Sequence, residues 1–576
     1  MTRTSPAFLK IIGCPLMLMT VVLAFALLAR AGTAVAGTTA SASVAGVPSE
    51  EAMRLGEKMY RDGILPSGKP LQAIVKGDVP VEGAQLTCSN CHQRSGFGSS
   101  EGTVRTPPID GTRLYQPLSK FKGIPLTKQA TELQADDLFR PAYTDETLAR
   151  AMRTGVDPAG RQMNTAMPVY ELNDRDMAIL VYYLRNLSSG LEPGVTETSL
   201  RFATIITDDV SQEDRQAMLG PLQRYIGSRR LSRTSEFSVR TGAYLQEGTS
   251  RGMRALSLAV WELKGPSGTW RGQLEEYYKK EPVFAILSGI TYGEWAPVHR
   301  FCEDHRIPSV FPITDYPVIS EKDWYTFYLS KGLYQESETA AKYLNSRDDL
   351  SKDIRVVQVF RKNRAGTALS KAFQDAWTGL GHGPADDVAL GEETLTADFW
   401  KKLADKYRHT VVLLWLDAND FPDLENLEKT KAMPDMIFAS SSLLGQRLYL
   451  LPEKARKSVY LTYPYTLPQD ARKYRESIET SLRNLNLPIT NIDIEFKMRS
   501  LFSTLTGALA MMRNYVYRDY FLELIEKTPD LTVVQVPYPR MSFGTGQRYA
   551  SKGCYVVQLS EGPKPELVKR SEWIIY

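Results

Sequence analysis

Residues 88 to 92 read Cys88-Ser89-Asn90-Cys91-His92, and this pentad constrains the fold of its surroundings more than any other stretch. Two thiols three positions apart, with an imidazole on the next residue, are the arrangement that attaches a c-type haem: each sulfur adds to one vinyl group, and the histidine nitrogen binds the iron. A chain carrying it has to fold around a large flat cofactor. A zinc site would need about two further Cys or His ligands nearby, and residues 49–187 offer none beyond the pentad. A dithiol redox pair belongs where a strand feeds a helix, whereas the flanks here are polar and glycine-rich. The reading is one covalently attached haem c, held by Cys88, Cys91 and His92.

The amino terminus points to export. Arg3 and Lys10 form a basic start, Ile11 to Ala29 is almost wholly apolar, and Ala34-Val35-Ala36 is a small-x-small cleavage site. A signal peptide over residues 1–36 and a periplasmic mature protein are expected, in keeping with haem attachment outside the cytoplasm. The apolar run reaches the roughly 17–25 residues that span a bilayer, so an uncleaved anchor is the alternative; Pro15 and the small residues that follow favour removal. Cys14 falls inside the signal, and residues 31–46 read as an Ala/Ser/Thr/Gly-rich leader. No second apolar run has spanning length, so no membrane span is expected after cleavage. At 576 residues, 43% hydrophobic and 24% charged, the chain is of ordinary globular composition with more than one domain. Its net charge of +4 is small and its basic residues are interspersed with acids, which argues against a nucleic-acid partner.

The second axial position of the iron decides the chemistry. His92 is the sole histidine before His299, which leaves methionine as the strong candidate within the haem domain. Thr144, Asp145 and Glu146 start a helix and Gly155 suits its end, so Met152 packs rather than ligates. Asn173 caps a second helix whose Met177, Leu180, Val181 and Leu184 form a core-facing stripe. Met163 and Met167 share an irregular loop between them, and either reaches iron; Pro168 stiffens the backbone beside Met167, which favours that residue. A thioether ligand favours ferrous iron, raises the potential and closes the face that oxygen would need. Electron transfer is expected, and no enzyme activity.

This segment resembles the class I cytochrome c family over residues 47–188. The likeness rests on Gly56-x-x-x-Tyr60 in the first helix, where a glycine permits close crossing with the helix bearing Tyr182 and Tyr183, on the Met167-Pro168 loop, and on Tyr183-Leu184-Arg185-Asn186-Leu187. It implies an all-α domain, one haem c with His92 and Met167 as iron ligands, and one-electron exchange with a redox partner protein, a dehydrogenase or an oxidase. The departures are the long spacing from Tyr60 to Cys88 and a Pro/Gly-rich excursion from Gln93 to Pro141, in which Pro107-Pro108-Ile109 is placed against the haem edge.

Ser188-Ser189-Gly190-Leu191-Glu192-Pro193-Gly194 breaks the helical pattern, and residues 189–198 read as a linker. Beyond it, over 199–576, short β-branched strands alternate with helices. Strands are expected at Phe202–Thr207, Val283–Leu287, Ser309–Ile313, Ile354–Phe360, Val411–Leu416, Met436–Ala439 and Val459–Thr462, with helices such as Trp295–His305 and Gly366–Leu380. This is the pattern of βαβ units on a mainly parallel sheet. Ligands on such sheets bind at loops after strand C-terminal ends, here Ser288-Gly289-Ile290-Thr291 and Thr314-Asp315-Tyr316, although strand-to-helix capping uses the same residue types. No Gly-x-Gly-x-x-Gly or phosphate loop follows a strand, which argues against a nucleotide.

Pro282 to Gly289, Ile307 to Pro312, Val357-Gln358-Val359-Phe360, a long helix over Leu501–Lys527, and Ser542-Phe543-Gly544 through Tyr555-Val556-Val557 together resemble the type I periplasmic solute-binding proteins, of the branched-chain amino acid and amide receptor kind. The resemblance implies a two-lobed α/β domain with a hinged cleft for a small polar ligand, Ser288 and Thr314 lining the first lobe's side. The stretch from Asp208 to Ala255 matches it poorly. Cys302 and Cys554 are equally compatible with a disulfide and with two separately buried thiols. The expected whole is a multidomain periplasmic electron-transfer protein, an all-α cytochrome c domain followed by the α/β domain. The alternative is a ligand-binding receptor or sensor whose haem is a redox modulator, and a haem enzyme would require an open iron face.

Overall fold

The computed structural model describes residues 43–75, 79–83, 85–101, 104–119, 139–231, 254–350, 354–392, 395–407, 410–420, 434, 436–528, 537–544 and 546–575. The signal peptide and Cys14 lie outside the described residues, as does much of the Gln93–Pro141 excursion. The chain divides into two compact units, and residues 87–144 and 157–161 fall with the larger one rather than with the helices on either side of them.

The smaller unit comprises residues up to Leu86 with 145–156 and 162–184. Its first helix, Ser49–Asp62, buries Ala52, Leu55, Gly56, Met59 and Tyr60, a stripe at three- and four-residue spacing. Glu50 and Glu51 stand at its positive end, and Gly63, at φ 64°, closes it in the left-handed conformation. The expected glycine crossing is present. A Cβ added to Gly56 would lie 2.4 Å from Tyr183 Cβ, and the Tyr60 and Tyr183 rings are 5.4 Å apart. Helix Asp145–Thr154 buries Leu148, Ala151 and Met152. Helix Asp174–Asn186 is capped by Asn173, whose Oδ1 accepts the Asp176 amide at 2.8 Å, and it buries Met177, Leu180, Val181 and Leu184 as its pattern requires.

The all-α expectation is incomplete: short strand pairs occur at Ser100–Glu101 with Val104–Arg105 and at Leu118–Ser119 with Phe139–Arg140, and a larger sheet precedes Cys88. The extra length between Tyr60 and Cys88 forms an antiparallel hairpin, Gln72–Val75 with Val79–Glu82, to which Val169–Tyr170 adds a third strand. Gln72-Ala73-Ile74-Val75 and Val79-Pro80-Val81-Glu82 are rich in branched residues, which favours strand. Pro80 pairs at the sheet edge, where a missing amide hydrogen is tolerated.

In the larger unit the α/β part consists of two sheets. The first has seven strands in the order Arg230–Leu231, Arg254–Leu263, Ser199–Thr207, Ala285–Leu287, Ser309–Val310, Thr326–Ser330 and Tyr549–Ser551, parallel throughout except at the first edge. Its second strand, which begins where the poorly matching stretch ends, runs nine residues in register with Ser199–Thr207. The second sheet places Asp386–Leu390, Val356–Arg361, Val411–Trp415, Met436–Ser440 and Val459–Tyr463 in parallel, then adds Gly553–Leu559 and Leu567–Lys569 antiparallel. Among the described residues the chain passes between the lobes after Ser330, after Tyr463 and at Lys552. Strands buried on both faces explain the nearly uninterrupted apolar runs, such as Val411–Trp415 with every residue buried.

Two expectations need correction. The helix foreseen over Leu501–Lys527 is two helices, Ile492–Met512 and Arg518–Glu526. Arg513 turns left-handed at φ 51°, and the following Tyr515-Val516-Tyr517 favours extended backbone over helix. The strand expected over Ser309–Ile313 stops at Val310, because Phe311 adopts φ 57°. Within the linker, Gly194, at φ 80°, packs so closely that an added Cβ would be 2.3 Å from the Phe284 amide nitrogen.

Candidate functional site

Cys88–His92 folds as a single helical turn begun by Thr87, whose Oγ1 accepts the Asn90 amide at 3.3 Å. Cys88 is buried, Cys91 is exposed, and no disulfide joins them. His92 is buried, with Nδ1 3.0 Å from the Pro107 carbonyl oxygen. A ring nitrogen that donates to a carbonyl leaves the lone pair on Nε2, the arrangement by which proteins present histidine to a metal. Burial depresses the basicity of the His92 ring more than the Pro107 bond restores it, which favours the neutral ring. Pro107 therefore serves to orient the histidine, a more specific role than edge packing. The donors present, two thiols and one oriented imidazole, fit a haem c. Among the described residues no group of three or more His, Cys, Asp or Glu side chains is placed to hold a metal ion.

The loop beyond His92 folds back on it. The Gly98 amide donates to the His92 carbonyl at 2.9 Å, and the Gly96 amide to the Gln93 carbonyl at 3.3 Å. It is then gripped by the second helix of the corrected pair. The Ser95 amide donates to Glu523 Oε1 at 2.8 Å and the Ser95 hydroxyl to Oε2 at 2.5 Å. Phe97 stacks on Tyr520 at 4.3 Å and meets the edge of Tyr515 at 5.0 Å. The Arg113 guanidinium covers both Phe97 and Tyr515, and Arg94 lies over Trp324.

The methionines separate as the sequence indicates in one respect. Met152 and Met177 are buried among apolar side chains, while Met163 and Met167 are half-buried on the irregular loop. That loop is a tight turn: the Met167 amide donates to the Asn164 carbonyl at 2.9 Å, and Pro168 follows buried. Met167 belongs to the smaller unit and the pentad to the larger.

Of the two residues expected in the cleft, Thr314 lines a small pocket with Ser330, Lys497 and Tyr538, whereas Ser288 is not part of its wall. Ser288 is 1% exposed at φ 54°, its hydroxyl without a hydrogen-bond partner among the described residues. Lys497 and Tyr538 went unread in the sequence. Burial opposes the charge of Lys497, but Tyr538 and the carboxylates of Asp315, Asp493 and Asp214 outweigh it and raise its affinity for the proton. The signal was a cation at helical spacing between Ile494 and Leu501, on the apolar side of a helix that also carries Asp493, Glu495 and Arg499. Glu523, inside Phe521-Leu522-Glu523-Leu524-Ile525, gave a similar signal. Cys302 and Cys554 are separately buried thiols, each made less acidic by burial, and form no disulfide.

Residues 81–188 match the family model described as Cytochrome c. Among solved structures the chain is similar to a fatty acid ABC transporter substrate-binding protein from Thermomonospora curvata, at 14% identity over 67% of this chain and 95% of that one, with a TM-score of 0.43. It is also similar to an ABC transporter substrate-binding protein from Sphaerobacter thermophilus, at 12% identity over 66% of this chain and 98% of that one, with a TM-score of 0.48. A branched chain amino acid ABC transporter from Thermus thermophilus with bound valine is 11% identical over 66% of this chain and 97% of that one, with a TM-score of 0.45. No curated protein matches the chain. The protein thus joins a cytochrome c domain to a two-lobed α/β domain. Among the described residues no helix is long and apolar enough to cross a membrane.

Proposed function

We propose that this protein is a periplasmic c-type cytochrome, exported by its amino-terminal signal, which passes single electrons to or from a dehydrogenase or oxidase and is not itself an enzyme. The observation that carries the reading is the capped turn Cys88–His92 with His92 Nδ1 on the Pro107 carbonyl. Cys88 and Cys91 form the two thioether bonds, and His92 Nε2 is the first iron ligand. Met167, set beside buried Pro168 in its turn, is the second. A haem so bound supplies one-electron exchange between ferrous and ferric iron. The α/β domain takes a small polar ligand, for which Thr314, Ser330, Lys497 and Tyr538 supply hydroxyls and a cation.

Met167→Ala should lower the reduction potential and abolish the weak sulfur-to-iron absorption near the red end of the ferric spectrum, whereas Met163→Ala should change little. The reverse outcome would exchange the two assignments, and rapid carbon monoxide binding by the untreated ferrous protein would overturn a closed iron. The grip of helix Arg518–Glu526 on the loop after His92 favours a second reading, a receptor whose haem reports ligand binding. That reading requires the potential to move when the cleft fills.

A further inference from the structure

Glu523 is 1% exposed and, among the described residues, has no ion-pair partner. Its carboxyl is committed instead to one residue, Ser95, three positions past His92 in a loop that is hydrogen-bonded back onto the His92 carbonyl. A buried carboxylate without a counter-charge is costly. A haem iron gains one positive charge when it is oxidised, so the missing counter-charge comes and goes with its redox state. We propose, on the reading that Cys88, Cys91 and His92 hold a haem, that Glu523 is a proton site coupled to electron transfer at that haem. Glu523 takes one proton from solvent when a redox partner delivers one electron, and releases it when the electron leaves.

The hydrogen bonds are suited to both states. With Glu523 ionised, the Ser95 amide and hydroxyl both donate to it. With Glu523 protonated, its O–H donates to the Ser95 oxygen, which already accepts the Phe97 amide at 3.2 Å, and the hydroxyl rotor turns to suit. Burial pushes the Glu523 carboxyl up to about 8, against the two Ser95 bonds. Of the charged groups acting on it, Asp519 opposes ionisation and Lys527 favours it, both from its own helix or its end. On the loop side Arg113 faces Phe97, Tyr515 and Asp110, and Arg94 faces Trp324; on the sheet side Glu526 is engaged by Arg548. None of these pairs with the Glu523 carboxylate.

The test is a spectroelectrochemical titration of the full haem-loaded protein from about pH 6 to about pH 10. The wild-type potential should fall with pH around the Glu523 transition, with a slope approaching a tenfold change in the redox equilibrium per pH unit, about 59 mV for a one-electron couple. Glu523→Gln, which keeps an acceptor for the Ser95 amide, should flatten that fall. Ser95→Ala, which removes a donor to the ionised form, should move it to higher pH and keeps the test open if the glutamine variant folds poorly. A wild-type potential that does not change with pH, or a fall that survives in Glu523→Gln, would overturn the proposal while leaving the haem reading intact. A protein without covalent pigment would overturn both.

Discussion

Gly56 shows how one absent side chain sets the distance between two helices. A methyl group there would meet Tyr183 Cβ at 2.4 Å and the Ile179 carbonyl oxygen at 3.0 Å, and neither is the end of a flexible chain. Gly56→Ala should therefore cost about 1–3 kcal/mol, as overpacking does, read from the urea midpoint of the haem-loaded protein; an unchanged midpoint would mean the helices part freely. Glu336 makes a different prediction. It is fully buried, accepts the Ser441 amide at 3.0 Å and the Thr462 hydroxyl at 2.8 Å, and burial pushes its carboxyl up from 4.5 to about 7. An acid raised by folding contributes stability that is complete below its unfolded pKa and is lost as pH rises through the folded value. The thermal midpoint should accordingly fall between about pH 5 and about pH 8, and Glu336→Gln should lessen that fall. An equally steep decline in the variant would assign the effect elsewhere.

At the scale of elements, the break between Ile492–Met512 and Arg518–Glu526 matters most, because it turns Tyr515, Tyr517 and Tyr520 toward Phe97. Phe97→Ala should cost about 2–4 kcal/mol through lost ring contacts and speed amide exchange at Ser95 and Phe97. Unchanged exchange would mean the loop is held without the aromatic contacts. Sequence periodicity makes Met177, Leu180, Val181 and Leu184 legible as a core stripe, since a helix buries one face whatever its neighbours are. Val411–Trp415 and Met436–Ser440 are legible for a similar reason, as apolar runs bounded by turns. The helix break is not, because Arg513 has no side chain that favours its left-handed turn. Strand Arg254–Leu263 is also hard to read: it alternates buried and less buried positions only in part, and its identity comes from pairing with Ser199–Thr207. At the site, the pentad is legible because its chemistry is local, whereas Glu523 meets Ser95 across 428 positions of sequence.

For the whole molecule, the cysteines provide a joint check on its parts. Cys302 lies in the core of the first sheet's lobe and Cys554 on the second sheet, each buried and unlinked. If Cys88 and Cys91 hold the proposed haem and Cys14 leaves with the proposed signal, the denatured mature protein should offer two titratable thiols. None would mean a disulfide between the two lobes. The central claim is narrower and is tested by the intact mass of the purified exported protein under denaturing conditions. One covalently held haem gives a mass greater than that of the polypeptide from Gly37 to Tyr576 by one haem, retained in acidified acetone and lost when Cys88 and Cys91 are both replaced by Ala. A mass equal to the polypeptide alone, or a pigment that acidified acetone extracts, would contradict it.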